Sequence, residues 1–432
     1  MSATTLRLRY ISDVRVSNVD KKAVDGEVPV RLCNYTDVYY QSEITAALDF
    51  MAATATPGQI SAFGLKAGDS IITKDSETAS DIAVPAFVPR DLHGVVCGYH
   101  LAQIRPRQEL VEPRYLSWSL QSDYVREQFE VAASGVTRYG LTYGAIKGVR
   151  ISVPDLNQQR RIADFLDDQV TRIDQVMDLR RRQMGLLAAQ AHNQILAELR
   201  GQGGRDRREI ASVAWLGPLP TEWPVVSVSS QFEVLLGKML NEERTRGDRM
   251  RPYLRNTNVQ WDRIDTDDLK EMDFPMRERS RFEVRPGDLL VCEGGQPGRA
   301  AIWNGQVTEI YYQKALHRAR PRASSLSRWL FYCLRAAVQM KAFASSGEET
   351  TIAHLTGEQL RCTRFPFPER AIQEAAVSRL DRFSDDTRGT VELLERSNAL
   401  LAERKRSLIT AAVTGEFDVS TASTRASDLV TG

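Results

Sequence analysis

The chain of 432 residues has no run of 18 or more apolar residues, and its opening MSATTLRLRY carries no apolar stretch of the signal-peptide kind. No membrane span is therefore expected, and the expected compartment is the cytoplasm. The five cysteines, Cys33, Cys97, Cys292, Cys333 and Cys362, form no CxxC pair and have no histidine at ligand spacing. They read as buried thiols, not as a zinc site or a disulfide framework. His93, His100, His192, His317 and His354 never stand at metal-ligand spacing with an acid. Glu293 to Gly298 is glycine rich but fits neither GxxxxGKS/T nor GxGxxG, which excludes a phosphate loop of either kind. A charge excess is missing too: 57 Lys plus Arg face 56 Asp plus Glu, a formal charge of +1. Phosphate binding usually needs a basic surplus, although a near-zero total can divide into a basic and an acidic face.

What is present begins with length, which exceeds what one core usually organises and points to two principal domains with connecting helices. Apolar positions at Leu166, Val170, Ile173, Met177, Met184 and Leu187 step by three, four and seven, the spacing of a narrow seam on a long helix. A second seam runs through Leu380, Phe383, Leu394, Leu401, Leu408 and Ala411, with Thr387, Thr390, Ser397 and Arg404 at its weaker positions. The flanking runs Arg180-Arg181-Arg182 and Glu403-Arg404-Lys405-Arg406 read as solvated faces or partner contacts. Two such helices packed antiparallel would hold the blocks they follow about 50 to 60 Å apart, at about 1.5 Å of rise per residue.

Those blocks are repeats of one another. Cys33 to Val38 corresponds to Leu254 to Val259 at an offset of 221, and Leu65 to Ile72 corresponds to Val284 to Val291 at 219. Leu101 to Pro106 answers Leu316 to Pro321 at 215; Ser134-Gly135 answers Ser346-Gly347, and Val153-Pro154 answers Phe365-Pro366, both at 212. Leu166-Asp167 answers Leu380-Asp381 at 214. Each match alone is weak, but their common order at slowly drifting offsets marks a duplication. Strands are expected in Val28 to Tyr40 before its polar loop, and over Ser70 to Thr73, Ile82 to Val84, Tyr99 to Pro106 and Ile151 to Val153. A helix is expected over Tyr115 to Phe129, and a loop over Val131 to Tyr143.

No catalytic constellation emerges, and the repeated acids Asp69 and Asp288, each after a glycine and before an apolar strand, read as turn residues. Recognition is what remains. Lys21, Lys22, Arg31, Asn34, Tyr35, Lys74 and Arg138 in the first block could pair with base edges or phosphates. Lys238, Arg255, Asn256, Asn258, Gln296, Arg299, Gln313 and Lys314 hold that place in the second. Asn and Gln suit adenine, Arg suits guanine, and Lys and Tyr suit phosphates.

The segment Ile210 to Trp223, IASVAWLGPLPTEW, resembles the entry to a target recognition domain in the specificity subunits of type I restriction-modification systems. Arg285 to Leu290, Leu316 to Pro321 and above all Ser407 to Val419, SLITAAVTGEFDV, are similar to the same family, and the likeness covers nearly the full length. The resemblance implies an α+β fold of two similar α/β target recognition domains, separated by a pair of long antiparallel helices in a coiled coil, pseudo-twofold and circularly arranged. The expected layout is recognition domain 1 at 1–153, first spacer helix region at 154–208, recognition domain 2 at 209–366, second spacer helix region at 367–418 and a disordered tail at 419–432. LRLRYISDVRV is a poor counterpart of Trp215 to Trp223, so residues after Thr414 are expected to complete the first domain.

The implied function is recognition of a bipartite double-stranded DNA target, directing adenine-N6 methylation and ATP-dependent cleavage by other chains. Implied partners are two methyltransferase subunits on the spacer helices and two restriction and motor subunits in the full complex, with no membrane. S-adenosylmethionine, ATP and Mg2+ are expected in those partners and no cofactor in this chain, which has no NPPY or DPPY tetrapeptide and no Walker motif. The alternative is a non-catalytic scaffold that assembles partners without reading sequence. A nuclease is disfavoured because no acids with a lysine cluster at matching positions of both blocks.

Overall fold

The computed structural model describes residues 4–201, 206–240, 247–322, 325–343 and 354–419. They form two compact units, Met1–Arg181 with Glu395–Gly432, and Arg182–Leu394. The repeat landmark Ser346-Gly347 and the expected tail beyond Val419 lie outside the described residues.

The first unit opens with β1 (Thr4–Arg7), α1 (Leu8–Ile11) and β2 (Ser12–Val16). It continues through β3 (Val28–Cys33), α2 (Tyr35–Tyr39), β4 (Met51–Ala55), α3 (Pro57–Phe63), β5 (Ser70–Thr73), β6 (Pro85–Phe87), β7 (Val95–Cys97) and β8 (Leu101–Pro106). Helices α4 (Pro113–Gln121), α5 (Asp123–Ala132) and α6 (Tyr143–Gly148) and strand β9 (Arg150–Val153) lead into α7 (Leu156–Arg200), a helix of 45 residues. An antiparallel sheet runs in the order β2-β8-β5-β6, with Val14 opposite Ile104 and Ile71 opposite both Gln103 and Ala86. A second sheet, β4-β3-β7, pairs β3 with β7 in parallel, and β1 forms a ribbon with β9.

Two local expectations give way to backbone geometry. Ile82 to Val84 is not a strand: Ala83 sits at φ +60°, a left-handed turn, and pairing resumes only at Pro85. The expected helix from Tyr115 to Phe129 is two helices, because Ser122 is extended at φ −66° and ψ 146° and gives its hydroxyl to the Ser119 carbonyl at 2.6 Å.

The second unit repeats the plan. Strand β10 (Val225–Ser227), α8 (Val228–Gln231) and β11 (Phe232–Leu236) are followed by β12 (Met250–Leu254), β13 (Lys270–Asp273), α9 (Met276–Phe282), β14 (Leu289–Cys292), β15 (Ala300–Ile302), β16 (Tyr311–Tyr312) and β17 (Leu316–Pro321). Then come α10 (Ser327–Gln339), α11 (Gly357–Cys362), β18 (Arg364–Pro366) and the second 45-residue helix, α12 (Arg370–Thr414). The sheet orders are β11-β17-β14-β15 and β13-β12-β16, again with one parallel pair, and β10 pairs with β18.

Buried polar contacts repeat with the strands. Asp69 and Asp288 are more than turn residues: each is almost fully buried, accepts from the backbone N–H three residues before it, and receives both arms of an arginine on the neighbouring strand. Arg105 reaches Asp69 at 2.7 and 2.7 Å, and Arg320 reaches Asp288 at 2.7 and 2.6 Å. Each pair locks a turn to the sheet through charge-assisted hydrogen bonds. A second set recurs at an offset of 214. Arg114 and Trp118 donate to Asp167, as Arg328 and Tyr332 donate to Asp381. Tyr115 donates to the Ser152 carbonyl at 2.7 Å and Trp329 to that of Pro366 at 2.8 Å, while Gln159 and Gln373 bond the carbonyls of Pro154 and Pro368, both at 2.7 Å. These contacts fix the start of each long helix to its own unit.

Within the first unit α7 runs antiparallel to the end of α12. Ile162, Leu166 and Val170 share a core with Ile409, Ala412 and Val413, Asp174 pairs with Lys405 at 2.7 Å, and Asn398 reaches the Met177 carbonyl at 3.5 Å. Within the second unit Ile195, Leu196 and Leu199 join Ala376 and Leu380, and Glu198 holds Arg379 at 2.8 and 2.7 Å. All eleven apolar seam residues that the spacing picks out between Leu166 and Leu408 are buried or half-buried. Of the four weaker seam positions, Thr387 and Ser397 are half-buried as the spacing indicates. Thr390 and Arg404 are exposed, while Val391 and Lys405 are half-buried and Asn398 is 9% exposed. In the basic run Arg180-Arg181-Arg182, Arg180 lies half-buried on the seam, while Arg181 and Arg182 are exposed. Both helices end alike, at left-handed glycines, Gly201 at φ +75° and Gly415 at φ +82°.

Past Gly415 the chain returns to the first unit. The Phe417 ring lies 5.7 Å from that of Phe165, Val419 packs on the same core, and Tyr115 also reaches the Val413 carbonyl at 3.2 Å. In the second unit the corresponding cover comes from Val213, Trp215 and Trp223, the last two 6.3 Å from Phe365 and Trp329 respectively.

Candidate nucleic-acid interface

In each unit the turn after the second sheet's central strand comes close to the hairpin after β5 or β14. In the first unit this turn is α2, where the Asn34 N–H donates to Asp37 at 2.7 Å and opens the helix. Tyr35 and Tyr39, one helical turn apart, stack with centroids 5.4 Å apart and planes at 17°, and Tyr40 meets Tyr39 edge-on at 4.9 Å. Together with Ser76, Asp81 and Arg138 they line a cleft of about 510 Å³. Tyr39 donates to Asp81 at 2.6 Å, and that bond to a carboxylate holds the phenol proton so that its pKa is pushed up to about 12. Burial raises Tyr35 as well.

Of the first block's candidates, Tyr35 and Arg138 line this cleft, while Asn34 opens α2 and Lys74 stands behind the lining residue Asp75. Arg138 is exposed at the rim. Lys74 is half-buried and bonds Asp75 at 2.8 Å, where His100 also bonds the same oxygen at 2.7 Å. Burial pushes the Asp75 pKa up, and these two donors outweigh it and hold the carboxyl below its ordinary range. Lys21, Lys22 and Arg31 are exposed and are not among the residues lining the cleft. Arg31 donates to the His93 carbonyl at 3.1 Å.

In the second unit Asn256 and Arg299 sit together beside the hairpin of residues 293–299, at whose tip Gln296 is exposed. Asn256 donates to the Gly294 carbonyl at 2.9 Å and Arg299 to the Asn256 carbonyl at 3.0 Å. A Cβ on Gly295, at φ +72°, would come within 3.2 Å of the Asn256 amide, so this approach depends on glycine. Arg255 pairs with Asp268 at 2.8 Å. Gln313 and exposed Lys314 bond through their backbone N–H groups to the carbonyls of Leu254 in β12 and of Lys238.

Two candidates are not surface side chains. Asn258 is 4% exposed; it accepts from the Arg255 N–H at 2.9 Å and donates to the Asp265 carbonyl at 3.0 Å, holding its own turn. Lys238 is 2% exposed, with its ammonium 2.8 Å from Glu278 and 4.7 Å from the centre of the Phe274 ring. Asn258 occupies a polar stretch that conceals its burial, whereas Lys238 stands between Leu235-Leu236 and Met239-Leu240, an apolar setting for a lysine. The reverse error also occurs: Tyr39, Tyr40 and Asp81 line the first unit's cleft and were no part of the sequence-based set. Three tyrosines within Tyr35 to Tyr40 were the available signal.

Among the described residues no group of three or more His, Cys, Asp or Glu could hold a metal ion, and no helix is long and apolar enough to cross a membrane. The model of the type I restriction modification DNA specificity domain matches residues 19–178 and again 220–398, one match per repeat. A protein of Methanocaldococcus jannaschii named as the type I restriction enzyme MjaX specificity subunit is 19% identical over 329 residues, 75% of this chain and 72% of that one. A chain solved in work on complex assembly and conformational transition of the type I R-M system shares the fold at a TM-score of 0.72 and 18% identity, over 96% of this chain and 98% of that one. The HsdS subunit from Thermoanaerobacter tengcongensis aligns at 0.53 and 18% identity, over 96% and 97%. A duplicated sequence, a duplicated fold and a family match to each copy coincide: the chain belongs to the type I restriction-modification DNA specificity family, whose role is DNA sequence recognition within a restriction-modification complex.

Proposed function

We propose that each unit reads one half of a split double-stranded DNA target and that α7 and α12 set the number of unread base pairs between the halves. The observation that carries this reading is the contrast between the repeats. Their buried ion pairs match residue for residue, while the groups at the equivalent turns and hairpins differ, with tyrosines and Asp81 in one unit and Asn256, Arg299 and a glycine hairpin in the other. A shared scaffold with different reading groups is what two unlike half-sites require.

The chemistry belongs to partner chains: two methyltransferase subunits that modify adenine N6 with S-adenosylmethionine, and two ATP-dependent restriction and motor subunits. Exposed apolar side chains on the long helices support docking there. Leu179 and Leu186 stand one heptad apart on α7 at 64% and 71% exposure, and Leu393 and Leu400 one heptad apart on α12 at 69% and 59%.

Methylome sequencing of cells carrying the whole system tests the reading, since it returns both half-sites and their gap. Adding one heptad to α7 and the facing heptad to α12 lengthens the pair by about 10 Å. At about 3.4 Å per base pair the gap should grow by about three, with both half-sites unchanged. An unchanged gap would refute the spacing role. Methylation without any sequence preference would favour a scaffold instead.

A further inference from the structure

We infer that the cleft of the first unit meets the major-groove edge of a base that presents an amino group there, adenine or cytosine, and that Asp81 accepts a hydrogen bond from that group. This rests on the DNA-reading role proposed above and names one of the reading residues. The Tyr35 and Tyr39 rings, stacked one turn apart on α2, form an aromatic wall of the cleft beside Asp81. Asp75 already receives Lys74 and His100, so its charge is balanced inside the unit. Ser76 and Arg138 lie beside Tyr35, and Arg138 at the exposed rim suits a phosphate. Asp81 is half-buried and has one described donor on its side chain, Tyr39, on Oδ2.

An ionised carboxylate accepts and never donates, so it favours an amino group and repels the O6 or O4 of guanine and thymine. The tyrosine hydroxyl adds to this choice, because its hydrogen bond to Oδ2 orients the carboxylate and leaves Oδ1 to accept from a base. The duplication supplies an independent contrast. The segment carrying Asp81 lies between β5 and β6, with eleven residues from Lys74 to Val84, whereas the equivalent hairpin of the second unit has only seven, Glu293 to Arg299. At the positions of Tyr35 and Tyr39, at the offset of 221, stand Asn256 and Gln260. The aromatic cleft and its acceptor therefore belong to one half-site only.

The test is selection from a random duplex pool by the full chain assembled with its methyltransferase subunit, wild type against Asp81→Asn and Tyr39→Phe. Wild type should require adenine or cytosine at one position of one half-site. Asp81→Asn should weaken discrimination there by about 5- to 150-fold, the range for one specific base contact, and leave the other half-site intact as proof of folding. Tyr39→Phe should weaken the same position to a smaller extent. A full wild-type consensus from Asp81→Asn overturns the inference. So does loss at several positions of that half-site together, which would mark a collapsed loop. A wild-type complex with no preference at any position overturns the DNA-reading proposal itself.

Discussion

Replacing Asp288 with Ala removes the acceptor of a buried, three-bond cluster, and its cost can be worked from the geometry. Asp288 is 2% exposed and receives Arg320 Nε and Nη2 as well as the Arg285 N–H at 2.7 Å. Breaking a buried ion pair by removing one partner costs about 3 to 5 kcal/mol. The Arg320 side chain keeps 21% exposure and a second acceptor, the Glu283 carbonyl at 3.2 Å, so the lower end, about 3 kcal/mol, applies. That should lower the thermal midpoint by about 6 to 12 °C for a unit of this size. Hydrogen exchange of the full chain localises the loss, with protection falling in 289–292 and 316–321 and staying in 70–73 and 101–106. Adding Arg320→Met should recover about 2 kcal/mol, because an apolar pair no longer strands a charge. A single-variant loss below about 1 kcal/mol, or a double variant whose losses simply add, would show that the pair is not what holds the turn.

Two further outcomes follow from buried polar groups. Burial holds the His317 pKa below its ordinary value, against the opposing bond from its Nε2 N–H to the Leu355 carbonyl at 2.9 Å. The folded state then binds fewer protons than the unfolded one just below pH 6.5, so stability is complete above that pH and falls as pH drops through the window toward the lowered pKa. Urea midpoints at pH 7.5 and 5.5 should differ more for wild type than for His317→Gln, and equal differences would assign the pH response to other groups. Asn398 is buried on the helix seam with its Oδ1 lacking a partner among the described residues. Asn398→Leu should raise the unfolding free energy by about 1 kcal/mol while loosening helix register, a trade known for single polar seam residues. A lowered midpoint would mean that the amide is satisfied by water.

Much of the fold was legible in the sequence because repetition and periodicity are one-dimensional. The ordered landmarks from Cys33 to Leu166 and from Leu254 to Leu380 reveal two copies of one unit without knowledge of any contact. The seams at Leu166 to Leu187 and Leu380 to Leu408 announce helices because apolar burial on a helix must recur at its own period. The candidate readers were legible only as polar residues in loops. Asn258 looks identical to a surface group in the sequence, and only the fold shows that it closes a turn and that Lys238 pairs with Glu278.

By itself, then, the sequence determined that there are two units and two long helices, since each follows from spacing along the chain. Only the tertiary structure decided how Asp69 finds Arg105 and Asp288 finds Arg320, separated by 36 and 32 residues. It likewise brings α12 residues to the first unit's core, and Tyr39 to Asp81 across 42 residues. The physical reason is that a hydrogen bond or a buried charge is settled by distance and by exclusion of water, and both depend on which strands lie side by side.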